Sequence, residues 1–189
     1  MFRALVKFCL LLSCTVFLSA SVAAQEVVHA VTGTVSSIDK ATHSIAVLQD
    51  VGGSKVFQNL ANPKTRYTLD KKVQAGTIAA DAFKDDGAYV IAFYYGTDEN
   101  RTLVALKNLG SGPFASTVGT IKKFDRGRSV TIQDESGAMQ TFKINPDSVG
   151  EAEFGVVDGS RFQAQSGSRI RIVSSVVDGA PTALFLRIM

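Results

Sequence analysis

The chain has 189 residues, 46% of them hydrophobic, no tryptophan, and a formal net charge of +3. Two cations, Arg3 and Lys7, fall in an N-terminal segment that reads as removable, which leaves 18 basic against 17 acidic residues, so overall charge gives no case for a nucleic-acid partner. Both cysteines, Cys9 and Cys14, lie in the same segment, and the remainder can form no disulfide, thiolate metal site or cysteine nucleophile.

In chain order, Met1 to Lys7 carries two cations and no acid, and Phe8 to Ala24 is apolar or small throughout. This is the pattern of a secretory signal peptide over 1–24, with small or compact residues before an expected cleavage after Ala24. An uncleaved anchor is the rival, but a 17-residue run is short for a bilayer. Leu11-Leu12-Ser13-Cys14 also resembles a lipoprotein box, which would make Cys14 a lipid anchor but leave apolar Thr15 to Ala24 on the mature chain. The expectation is a periplasmic or secreted protein that meets the membrane only during export unless Cys14 is lipidated.

Five β-rich runs follow in residues 25–109: Val31 to Ile38, Ser44 to Leu48, Val56 to Leu60, Tyr89 to Tyr95 and Leu103 to Leu109. Between the third and fourth, Val73 to Phe83 is Ala-rich and is expected to make one or two helical turns. Asn100-Arg101-Thr102 is a glycosylation sequon in an expected loop. Residues 110–116, opening Gly110-Ser111-Gly112-Pro113, read as a linker. Residues 117–189 then give Val118 to Phe124, Ser129 to Gln133, Met139 to Ile144, Arg169 to Val177 and Thr182 to Ile188, separated by Asp- and Gly-rich turns.

The two halves echo each other. Gly87, Asp98 and Thr102 recur as Gly167, Asp178 and Thr182 at a constant offset of 80, and Gly33-Thr34-Val35 recurs as Gly119-Thr120-Ile121. Val35 and Ile38 match Ile121 and Phe124, yet residues three apart on a regular strand face opposite sides, so the first strand of each half has to bend or bulge to bury both. A long, bent first strand favours a small closed barrel over a flat sheet. The predicted fold is all-β: two tandem five-stranded OB-like (Greek-key) barrels after a signal peptide.

With Gly-Thr-Val/Ile, then Ile38-Asp39 or Phe124-Asp125, then Asp85-Asp86-Gly87 or Ser166-Gly167-Ser168, then Thr-Leu-Val-Ala or Thr-Ala-Leu-Phe, the chain resembles bacterial exported domains of unknown function built as small OB-like barrels in tandem. The resemblance spans the mature chain and rests on turn and core residues, so it implies a fold and no activity. The pattern is also similar to small periplasmic copper and silver chaperone barrels. Their ligand set of methionines, histidine and tryptophan has no counterpart here, because Trp is absent and Met139 and Met189 do not form Met-x-Met.

Candidate chemistry is sparse. His29 and His43 are the two histidines, and His43 with Asp39 and Ser44 has the residue types of a triad on one turn, but without a nucleophile elbow or oxyanion donors. Asp85, Asp86, Asp98 and Glu99 flank a strand whose ends lie about 30 Å apart, too far to share a metal. Asp39, Asp125, Asp98 and Asp178 read as turn-capping residues. No cofactor and no metal are expected.

Two surface features remain. Lys122, Lys123, Arg126 and Arg128, with Arg169 and Arg171, form a cationic cluster suited to an acidic envelope protein or anionic polymer, against the plainer reading of a solvated hairpin. On the fourth strand, Tyr89, Ile91, Phe93 and Tyr95 share one face where the second half has Arg169, Arg171, Val173 and Ser175. Something should cover that apolar stripe. The other barrel is the favoured candidate; a partner protein, or a hydrophobic or glycan ligand stacking on the tyrosines, is the alternative. These features suggest an exported, non-enzymatic cell-envelope binding or interaction module of unknown ligand. The alternatives are an envelope hydrolase using His43 or a periplasmic metal carrier.

Overall fold

Alternation of apolar and polar side chains, interrupted by Asp- and Gly-containing turns, folds the described residues into strands alone. The computed structural model describes residues 27–39, 41–42, 44–58, 73–75, 87–97, 101–110 and 112–189. The signal peptide, Cys9, Cys14, His43, Asp85, Asp86, Asp98, Glu99 and Asn100 lie outside them.

The first sheet holds β1 (His29–Asp39), β2 (Ser44–Gln49), β3 (Ser54–Gln58), β4 (Val73–Ala75), β5 (Tyr89–Tyr95) and β6 (Thr102–Gly110), in the order β3-β2-β1-β5-β6-β4 with a further parallel pairing of β3 with β6. The second holds β7 (Ala115–Asp125), β8 (Ser129–Asp134), β9 (Met139–Lys143), β10 (Val149–Ala152), β11 (Gly155–Asp158), β12 (Arg169–Val177) and β13 (Ala180–Ile188), in the order β11-β10-β13-β12-β7-β8-β9 with a further parallel pairing of β13 with β9.

Equivalent strands of the two sheets agree in detail. The register of β1 on β2 shifts between Val35 and Ser37, and that of β7 on β8 between Ile121 and Lys123. These are the bends needed to bury Val35 with Ile38 and Ile121 with Phe124. At the bend, the amide of Val35 donates to Ala88 O (2.9 Å) and that of Ile121 to Ser168 O (2.9 Å), so β1 and β7 carry on their bonding to the residues just before β5 and β12. Gly33 and Gly119 are needed where the strand crosses its neighbour. A Cβ would stand 2.2 Å from Leu48 O at the first and 2.5 Å from Gln133 O at the second. The Asp178-Gly179 turn between β12 and β13 has φ of 51° and 74°, the left-handed pair that a two-residue hairpin demands.

Three departures from expectation stand out. Val73–Ala75 is not helical but pairs antiparallel with β6, and residues 76–83 lie outside the described ones. The second sheet has more than five strands, because Val149–Ala152 pairs in parallel with β13 and turns back into Gly155–Asp158. Finally, β6 runs to Gly110 and β7 begins at Ala115, so the strands close in on the expected 110–116 linker from both sides.

Apolar side chains collect in three places. Val31, Val35, Ile45, Val47, Phe57 and Leu103 fill the first unit, and Ile121, Ile132, Phe142, Phe162, Ile170 and Leu186 fill the second. The third cluster joins the units: Val28, Ala30, Ile91, Phe93, Val104 and Ala105 meet Val149, Val173 and Phe185. The amide of Val156 also donates to Val28 O at 3.0 Å, tying β11 to the segment just before β1.

Candidate functional site

The apolar stripe of β5 is spent on the contact between the units. Ile91 and Phe93 are fully buried against Val173 and Phe185, while Tyr89 and Tyr95 border the same cluster half-covered. Burying such a side chain contributes about 1.5–3 kcal/mol, enough to explain why this face is not left open. Tyr89 stacks on Phe114 with ring centroids 4.6 Å apart and planes at 19°.

Arg171 lies at the same boundary, apart from the cationic cluster expected of it. Only 7% of its side chain is exposed; Nη1 donates to Asp50 Oδ2 and to Thr32 Oγ1, both at 3.1 Å, and the guanidinium lies 5.6 Å from the Phe185 ring centre. Asp50 Oδ2 also accepts from the Thr32 hydroxyl (2.7 Å) and the Tyr89 hydroxyl (2.5 Å). Burial first, and this bond second, push the Tyr89 phenol above its ordinary pKa. A guanidinium that is buried needs such a satisfied partner, and the first unit supplies it.

A second polar tie involves Glu151, whose side chain is 5% exposed. Its Oε1 lies 3.2 Å from His29 Nδ1, and its Oε2 lies 3.5 Å from Arg187 Nε with no hydrogen-bond partner among the described residues. The Tyr94 ring sits 5.7 Å from that of His29, and burial followed by the Glu151 charge raises the Tyr94 phenol pKa. Lys107 Nζ donates to Asp147 O at 2.6 Å, a third tie across the boundary.

The remaining cations sort differently. Arg169 pairs with Glu135 at 2.5 Å, and Arg128 lies 4.0 Å from Asp125. Lys122, Lys123 and Arg126 are exposed, and Arg126 Nε donates to Ser160 O at 3.3 Å. Asp39 caps its turn as expected, its Oδ1 accepting from the amides of Ala41 (2.8 Å) and Thr42 (3.2 Å). Among the described residues no three His, Cys, Asp or Glu side chains converge on a metal position.

Sequence reasoning missed an open cleft of ≈ 540 Å³ on the second unit, between the β10–β11 hairpin and the loop that leads to β12. Phe154, at the hairpin tip, is 89% exposed and lines it together with Glu153, Arg161, Gln163, Gln165 and Ser168. Its floor is apolar, with Ala152, Val157, Ala164 and Ile188 packed against the core of the unit. The loop is held to β7 by the Ser166 hydroxyl, which donates to Lys122 O at 3.3 Å, and to the turn after β7 by Arg126 Nε, which donates to Ser160 O. Asp158 opens it, accepting from the Ser160 hydroxyl and from the Arg161 amide (3.0 Å), which lowers the carboxyl pKa. The one signal for this site in the sequence is a solitary Phe154 between Glu153 and Gly155, where an apolar side chain sits on a turn.

No protein-family model, no curated protein and no solved structure matches the chain, so its function has to be read from these side chains.

Proposed function

We propose that the protein is an exported, non-enzymatic binding module of the cell envelope, built as two OB-like barrels in tandem. The barrel reading is supported by the pairing pattern: β1 pairs with β2, β2 with β3, β3 with β6, β6 with β5, and β5 with β1, with the β3–β6 step parallel. The strands β7, β8, β9, β13 and β12 repeat this cycle, again with one parallel step. A five-strand ladder that returns to its first member, here through one residue pair at each closure (Gln58 with Thr102 and Lys143 with Thr182), is the arrangement of a small Greek-key barrel. The duplication reading draws on the matching bulges and on the paired glycines.

The binding role rests on one observation, the cleft beside Phe154. A phenyl ring left 89% exposed at a hairpin tip, over an apolar floor and beside side-chain amides, has the mixed character of a ligand groove. Titration of isotope-labelled mature protein with protein and polysaccharide fractions of envelope extract tests it. Amide shifts centred on Phe154, Gln163 and Ser168, lost in Phe154→Ser at unchanged Tm, are expected. Silence with every fraction would remove the binding role, and shifts elsewhere would move it off the cleft.

A further inference from the structure

We propose that the outward face of β7, β8 and β9 is a second binding surface, separate from the Phe154 cleft, and that it takes an acidic polysaccharide chain. Two rows of paired residues build this face. Lys123 opposes Thr131, which opposes Thr141; Asp125 opposes Ser129, which opposes Lys143. Their neighbours along the strands, Val130, Ile132 and Phe142, fill the core of the unit, so the two-residue period turns both rows toward solvent. The hydroxyls of Thr131 and Thr141 meet at 2.9 Å. The register shift between Ile121 and Lys123 inserts Lys122, which leaves two consecutive lysines exposed on one strand. Arg126 and Arg128 are exposed in the adjoining turn. Against these cations stands Asp125, 4.0 Å from Arg128, the one carboxylate of the two rows.

The first unit shows what the fold itself requires at these places. The same register in β1, β2 and β3 puts Ser36 and Ser37 where Lys122 and Lys123 stand, and Gln58 where Lys143 stands. Ala46 and Val56 occupy the places of Thr131 and Thr141. Neither the charge nor the hydroxyls are needed to form the strands. Cations gathered this closely repel one another, and a negatively charged ligand offsets that cost.

The pattern selects the ligand. The cations are spread across two strand spacings, about 10 Å, with the hydroxyls of Ser129, Thr131 and Thr141 between them. Such a surface matches a chain that carries acid groups among its own hydroxyls. Single-stranded nucleic acid would ask for aromatic side chains to stack on, but Phe124 and Phe142, the aromatic residues of these strands, pack into the core. A bilayer would ask for apolar side chains to insert, and Met139 is the one large exposed apolar residue on the three strands.

Calorimetric titration of the mature protein uses three probes: hexagalacturonate with a carboxylate on every ring, its fully methyl-esterified form, and hexaglutamate. Hexagalacturonate should bind, with affinity that falls steeply with added salt and drops at least about tenfold on esterification. Restoring the first unit's residues, Lys122→Ser with Lys123→Ser, should weaken binding at least about tenfold at unchanged Tm. Thr131→Ala with Thr141→Val should weaken it several-fold, and Phe154→Ser should leave it unchanged. Lys143→Gln should weaken it several-fold, whereas Lys55→Gln, which gives the first unit the residue found at Gln140 in the second, should not. Equal losses in those two variants would reduce the effect to diffuse attraction and overturn the site. Equal affinity for the esterified form would overturn the acidic requirement, and tighter binding of hexaglutamate would replace the polysaccharide with an acidic peptide. Absence of hexagalacturonate binding at low salt would overturn the proposal outright, whereas the cleft is decided separately by the envelope-fraction titration.

Discussion

The guanidinium of Arg171 meets the carboxylate of Asp50 at 3.1 Å across the boundary between the two units, inside a shell made of Thr32, Tyr89 and Phe185. Removing one partner should therefore leave the other charge stranded. Arg171→Met is expected to cost about 2–5 kcal/mol of unfolding free energy in urea. Combining it with Asp50→Asn should restore part of that loss, with a coupling of at least about 1 kcal/mol. Strict additivity would mean the pair is not coupled.

Phe93 belongs to the shared cluster and Phe57 to the interior of the first unit, and both are fully buried. Truncation of either to Ala should cost about 3–5 kcal/mol. Only Phe93→Ala should split the calorimetric unfolding into two transitions, since it removes the contact through which the units share stability. A single transition in both variants would show that the polar ties suffice to couple them.

Gly33→Ala and Gly119→Ala place a methyl against Leu48 O and Gln133 O at distances no side chain tolerates. Each should destabilise by about 1–3 kcal/mol or more, with the strand crossing forced apart. Stability within about 0.5 kcal/mol of wild type would contradict so close a crossing.

Alkali should loosen the boundary. The phenol of Tyr89 has its pKa raised above the ordinary 10.0. The folded chain thus keeps a proton that the unfolded chain has released. The stabilisation is whole below about pH 10 and drains away as pH rises beyond it. Urea midpoints should decline over that range in wild type and less steeply in Tyr89→Phe. Identical slopes would show that the hydroxyl plays no part.

How much of this was legible beforehand depended on what each residue answers to. The ten principal strands could be read because local alternation and turn chemistry decide them, and the bend in β1 and β7 because Val35 with Ile38, and Ile121 with Phe124, cannot otherwise be buried together. Strands β4, β10 and β11 were not readable. Val73–Ala75 and Val149–Ala152 are short, and each is held to its sheet by a strand about 30 or more positions away in the chain. Arg171 was misjudged for a related reason. Period-two counting says which face of β12 it occupies, but not that Asp50 of the other unit waits there. Phe154 was passed over because a lone aromatic residue on a turn carries no periodicity.

The bond from Val156 to Val28 bears on how the molecule is made. In a nascent chain Val28 emerges well before Val156, so the amide that satisfies its carbonyl is synthesised only after the whole first unit and half of the second. Until then the start of the leading strand, together with Ile91 and Phe93, remains greasy and uncapped, a surface that a holding chaperone would have reason to grip. Completion of the trailing half is what shuts it away.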